Sequence, residues 1–113
     1  SEAEKLVAMA PFSPDAIALH ADSLWAAGQF EQAEARYAEA LAGAPELARG
    51  RHGVARSLAA QSRLQEALDQ AQHALRLSPR DLEIHHTVGS IYERMGRFEE
   101  AAGAYTNFVN LLP

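Results

Sequence analysis

Gly96-Arg97-Phe98-Glu99-Glu100-Ala101-Ala102 has a close copy earlier in the same chain, Gly28-Gln29-Phe30-Glu31-Gln32-Ala33-Glu34, and a weaker one midway, where Ser62, Leu64 and Ala67 hold the matching places. The three versions stand 34 residues apart, and so do four prolines, Pro11, Pro45, Pro79 and Pro113. Overlaying residues 14–47, 48–81 and 82–113 extends the match in both directions. Ala21, Ala55 and Gly89 share a column, as do Leu24, Leu58 and Tyr92, then Tyr37, Ala71 and Tyr105, then Ala40, Ala74 and Phe108. An alanine-rich composition cannot produce that many coincidences at one period. The chain is an internal repeat.

Within each repeat the apolar spacing is helical on both sides of the Gly28/Ser62/Gly96 column. Ser13-Pro14-Asp15 is a helix start, with Ser as N-cap, Pro at the first helical position and an acid in the first turn. Ile17, Ala21, Leu24 and Ala27 then keep one face up to the break at Gly28. A second helix, from about Glu31 to Ala42, carries Ala33, Tyr37, Ala40 and Leu41 on its stripe, and Gly43 and Pro45 close it. The next hairpins are expected at about 48–61 with 65–77, and 82–95 with 99–111, Asp81 capping the latter pair. Turns this short force antiparallel helices. The recurrent Ala21, Ala55 and Gly89 opposite Ala33, Ala67 and Ala101 let backbones approach. Leu24, Leu58, Tyr92, Phe30, Phe98, Tyr37 and Tyr105 fill the space around them.

A 34-residue period with two helical patterns, small residues at set places and a closing proline resembles the tetratricopeptide repeat (TPR). The resemblance covers the whole chain: repeats at 14–47, 48–81 and 82–113, with residues 1–13 in the register of a preceding repeat's second helix, Leu6 and Val7 falling in the columns of Ala40–Leu41 and Ala74–Leu75. It implies an all-α fold, a right-handed α-solenoid of antiparallel helix hairpins, and a non-catalytic scaffold for protein–protein interaction. On this register the natural protein is expected to extend toward the N-terminus. The last helix is expected to leave Phe108, Val109, Leu111 and Leu112 partly uncovered, as in a piece of a longer array or a chain that self-associates there.

In the family's superhelix the first helix of each repeat lines a concave groove. Periodicity then places Asp15, Ala18, Leu19, Asp22 and Trp25 on that face, followed by Arg49, His52, Gly53 and Arg56, and by Glu83, His86, Thr87, Ser90 and Glu93. Net charge alternates along the array, −5 over 14–47 (six acids, one Arg), +3 over 48–81 (six Arg, three acids) and −2 over 82–113 (four acids, two Arg). Arg49, His52 and Arg56 lie a turn apart on one face, with His86 expected beside His52. A basic middle with Asp15 and Asp22 at one end and Trp25 near the rim suits an extended or helical peptide bearing acidic residues. The competing reading is that both arginines simply pair with neighbouring acids. Homo-oligomerisation through the terminal helices, or service as an interaction appendage of a larger protein, is the alternative function.

Several classes are disfavoured. Chaperone C-terminal tails are gripped in this family by Lys, Asn and Arg at places held here by Ala18, Asp22, Gly53, Glu83 and Thr87, so that ligand is not expected. The asparagine ladder of glycosyltransferase arrays is replaced by Leu19, Gly53 and Thr87. A net charge of −5 argues against nucleic acid, and no apolar run reaches the roughly 20 residues of a membrane span. Without cysteine there is no disulfide, thiolate metal site or thiol nucleophile. No nucleophile elbow, phosphate loop or zinc spacing occurs, so neither enzyme activity, cofactor nor metal is expected. His85 and His86 point about 100° apart on a helix and cannot readily share a metal. His20, in a column with Val54 and Val88, reads as a satisfied half-buried histidine. Arg51 and His85 interrupt an otherwise apolar column and are expected to snorkel outward, His85 beside Asp81. The first ten residues, with Glu2 and Glu4, do not form a signal peptide, which puts the cytoplasm ahead of the periplasm for a soluble chain of otherwise open location. Nine Arg to one Lys with abundant Ala is the usage of a GC-rich genome, and a bacterial source is expected.

Overall fold

The structure is a computed structural model and describes residues 13–113; the expected helix over residues 1–12 lies outside that range. Six helices follow in order: α1 (Pro14–Ala26), α2 (Phe30–Gly43), α3 (Ala48–Ala60), α4 (Leu64–Leu77), α5 (Leu82–Arg94) and α6 (Phe98–Leu111). The caps explain two of the starts. Ser13 Oγ accepts the Ala16 amide at 3.3 Å, and Asp81 Oδ1 accepts those of Glu83 and Ile84 at 3.0 and 3.3 Å.

The hairpin turns are one motif made three times. Gly28, Ser62 and Gly96 are all left-handed, with φ of 79°, 61° and 76°. The amide after each reaches back to the helix it has just left: Gln29 to the Leu24 carbonyl at 2.9 Å, Arg63 to Leu58 at 3.0 Å, Arg97 to Tyr92 at 2.9 Å. This six-residue closure needs a positive φ, which glycine adopts freely and serine does not. Ser62→Gly is therefore expected to stabilise the chain by about 0.5–1 kcal/mol. The urea midpoint measures it, and an unchanged or lower midpoint would mean that the serine is not strained.

Residue sizes differ between the two inter-repeat junctions. Between α2 and α3, Tyr37 is fully buried over Gly53, and Leu41 sits over Gly50. One period later the same columns hold Ala71 and Thr87, and Leu75 and Ile84, so the tyrosine column becomes alanine and both glycine columns carry larger residues. The alanines at 21, 33, 55, 67, 71 and 74 have no exposed surface, as expected of residues at points of close helix approach.

Stacking is nearest-neighbour, α1 through α6, with one further feature. The first helices also touch one another, α1 with α3 and α3 with α5, whereas α2, α4 and α6 make no such contact. Helices close on one side and splayed on the other make a curved solenoid with α1, α3 and α5 on its inner face. His85 does not snorkel outward, whereas Arg51 is half-buried and carries its guanidinium to an exposed hydrogen bond. His85 is buried with Nε2 2.7 Å from the Pro79 carbonyl, and Arg51 Nη2 donates to the Pro45 carbonyl at 3.3 Å. The polar column binds the carbonyls of the periodic prolines, and Asp81 serves as a cap rather than a partner for His85.

Candidate functional groove

Three clefts, of about 320, 330 and 330 Å³, lie along the inner face, and Arg56 lines all three. They form one continuous surface across α1, α3 and α5. Its polar centre is Asp22. The Tyr37 hydroxyl donates to Asp22 Oδ1, Arg49 Nη2 donates to Oδ2 at 2.5 Å, and Arg56 Nη2 stands 3.8 Å from Oδ1. Burial, with the Asp22 carboxylate adding to it, holds the Tyr37 phenol above its usual range, so it is a neutral donor. The Arg56 guanidinium also lies 4.5 Å from the centre of the Trp25 ring, whose position is braced by the edge of Phe30 at 6.0 Å.

His52 is 8% exposed, with Nε2 2.7 Å from Thr87 Oγ1 across the second junction. Burial and the neighbouring Arg56 charge push its pKa down to about 4, so near neutrality it is a hydrogen-bonding group without charge. His86 is exposed instead, its ring 5.8 Å from those of Tyr105 and Phe108. His20 accepts from Arg36 Nε at 3.1 Å through Nδ1.

The clefts bring together Asp22, Trp25, Arg49, His52, Arg56, Glu83, His86 and Ser90. Asp15 is exposed and Leu19 half-buried, and neither lines a cleft. Ala18 is fully buried and Gly53 is covered by Tyr37, so these two positions belong to the core. Helical spacing alone puts them on the groove face because it cannot show which side chain from a neighbouring helix covers a small residue. Asp22 is not a separate acidic end: it stands between Arg49 and Arg56 and offsets part of their charge. Phe108 also lines the inner surface beside His86, whereas Val109 and Leu112 are exposed and Leu111 half-buried. Spacing could have found Arg94, one turn beyond Ser90, where it lines a cleft with Ala59, Ala60 and Ile91.

The Tetratricopeptide repeat family profile matches residues 19–81, more than half of the chain. The chain belongs to the tetratricopeptide repeat family. Solved structures agree on the fold. "MamA RS-1 ArsTM double mutant" superposes with a TM-score of 0.85 at 21% identity, over 96% of this chain and 61% of that one. "MamA 41-end from Desulfovibrio magneticus RS-1" gives 0.85 at 21%, over 96% and 62%, and "MamA MSR-1 C2" gives 0.80 at 23%, over 96% and 63%. The chain thus spans about three fifths of these TPR structures. No curated protein matches it. TPR proteins are in general non-catalytic scaffolds, and membership of the family supports a protein-interaction scaffold. No described helix is long and apolar enough to cross a membrane.

Proposed function

We infer that the groove on α1, α3 and α5 receives a peptide or helix of a partner protein, with repeats divided at 14–47, 48–81 and 82–113. One observation carries this reading: three clefts join at Arg56 into a trough that mixes apolar floor with charged walls, the composition of a recognition surface. Asp22 satisfies Arg49 in part, and Arg56 keeps donors for a partner's acidic groups. A second reading is self-assembly through α6 and its flank, where Val109 (60%) and Leu112 (46%) stay uncovered along with Phe98 (68% exposed), which does not take the interior place its column predicts.

Affinity capture from a source-organism lysate tests both, comparing the native chain with Ser90→Arg, which fills the groove floor, and Asp69→Arg on an exposed position of α4. A partner lost only with Ser90→Arg is the expected result. Loss with Asp69→Arg alone, or retention by both variants, would overturn the groove reading. Recovery of the chain itself, with a light-scattering mass that climbs with concentration, would put self-assembly first.

A further inference from the structure

The two rims of the groove differ in sign, and this inference rests on the groove reading above. At the rim formed by the helix starts, Asp22, Asp81 and Glu83 line a cleft with Arg49 and Arg56, and Asp22 meets Arg49 at 2.5 Å and stands 3.8 Å from Arg56, so the carboxylates outnumber the guanidiniums there. Glu83 is exposed and forms no ion pair among the described residues. At the rim formed by the helix ends, the cleft is walled by Trp25, Ala59, Ala60 and Ile91, with Arg56 and Arg94 as its charged groups and no described carboxylate.

That second cleft is also rich in donors and poor in acceptors. Trp25 Nε1 and Arg56 Nε have no acceptor. Arg94 uses Nη1 on the Ala59 carbonyl at 2.7 Å, which fixes the guanidinium at the cleft edge and leaves its other N–H groups to donate elsewhere. Donors beside an apolar floor call for an apolar side chain with an anionic neighbour. A guanidinium fork matches a carboxylate better than any neutral acceptor.

We propose that the groove selects a protein segment that sets an apolar side chain between Trp25 and Ile91, an adjacent Asp or Glu on Arg56 and Arg94, and a Lys or Arg on Asp81 and Glu83. Glu83 and Arg94 lie 11 residues apart on α5, about 16 Å at 1.5 Å per residue. An extended segment spans that distance in about five residues. The alternating charge of the whole chain does not predict this pattern, because it comes from which ends of the first helices carry which sign.

Random 12-residue peptides displayed on phage, selected on the whole chain, test the proposal. Enriched peptides should carry an acid beside an aromatic or aliphatic residue, with a base about five positions away. An exposed ion pair contributes up to about 1 kcal/mol, so Arg94→Ala should weaken a selected peptide by about fivefold and Arg94→Lys by less. Selection on Arg94→Glu should turn the acid in the motif into Lys or Arg, a change that mere loss of packing cannot produce. Peptides without the acid, or bound equally by Arg94→Glu yet lost with Ser90→Arg, would overturn this proposal and leave the groove reading standing. Peptides held equally by Arg94→Glu and Ser90→Arg would overturn both. Recovery of no peptide would overturn the selectivity proposed here.

Discussion

Tyr37→Ala is expected to lower the unfolding free energy by about 3–5 kcal/mol, the usual consequence of removing a buried aromatic ring. The phenol is fully buried, its ring lies over Gly53, and its hydroxyl donates to Asp22. Removal opens a cavity in the first junction and takes one donor from the carboxylate that also binds Arg49. Against a total of about 5–15 kcal/mol for a domain of this size, the first two repeats should separate readily. Urea unfolding followed by circular dichroism measures the effect. A loss under 1 kcal/mol would show that the junction closes without the ring.

A second substitution separates ring packing from general fragility. Glycine inside a helix is ordinarily about 1 kcal/mol worse than alanine. At position 53, however, an added Cβ would stand 2.4 Å from two carbons of the Tyr37 ring. Gly53→Ala alone should thus destabilise, by roughly 1–3 kcal/mol. In the Tyr37→Ala background the same change should stabilise, since the ring is gone and only the helix preference remains. That reversal of sign is the signature of direct contact between the two sites.

Acid should weaken the chain through His52. A free imidazole titrates near 6.5, and the folded one is held down to about 4 by burial and by Arg56. The unfolded chain therefore binds the proton first as pH falls. Stability from the neutral ring is complete above about pH 6.5 and is lost progressively down to about pH 4, by about 3 kcal/mol in all. Carboxylates titrate at the lower end of the same window, so the difference between native chain and His52→Gln isolates the imidazole. The variant keeps a neutral group able to reach Thr87 and should lose about 3 kcal/mol less between pH 7 and pH 4. Parallel curves for the two proteins would mean that His52 takes up its proton while folded.

The 34-residue period, the helix pairs, the turn column and the buried alanines were all legible in the chain, because local propensity, capping and apolar spacing act over a few residues and repeat in register. Ser13 and Asp81 read as caps and are caps. Ser62, aligned with two glycines, takes their left-handed conformation because its turn has the same length and the same closing hydrogen bond.

Side-chain partners across the stack were legible only in part. Asp22 and Arg49 are 27 residues apart, and no periodic rule says that Asp22 pairs with Arg49 and Arg56 rather than facing a ligand. Gly53 and Ala18 lie on the spacing of the groove face yet are buried, and Tyr37 reaches over the first. Arg51 and His85 look misplaced in an apolar column until the carbonyls of Pro45 and Pro79 are seen beside them. The sequence by itself determined the fold, because each repeat carries its own helix signals and a stripe that only a neighbouring repeat can bury. Only the tertiary structure decided which charges remain available in the groove, since that depends on how closely α1, α3 and α5 approach and on which side chain fills each gap between them.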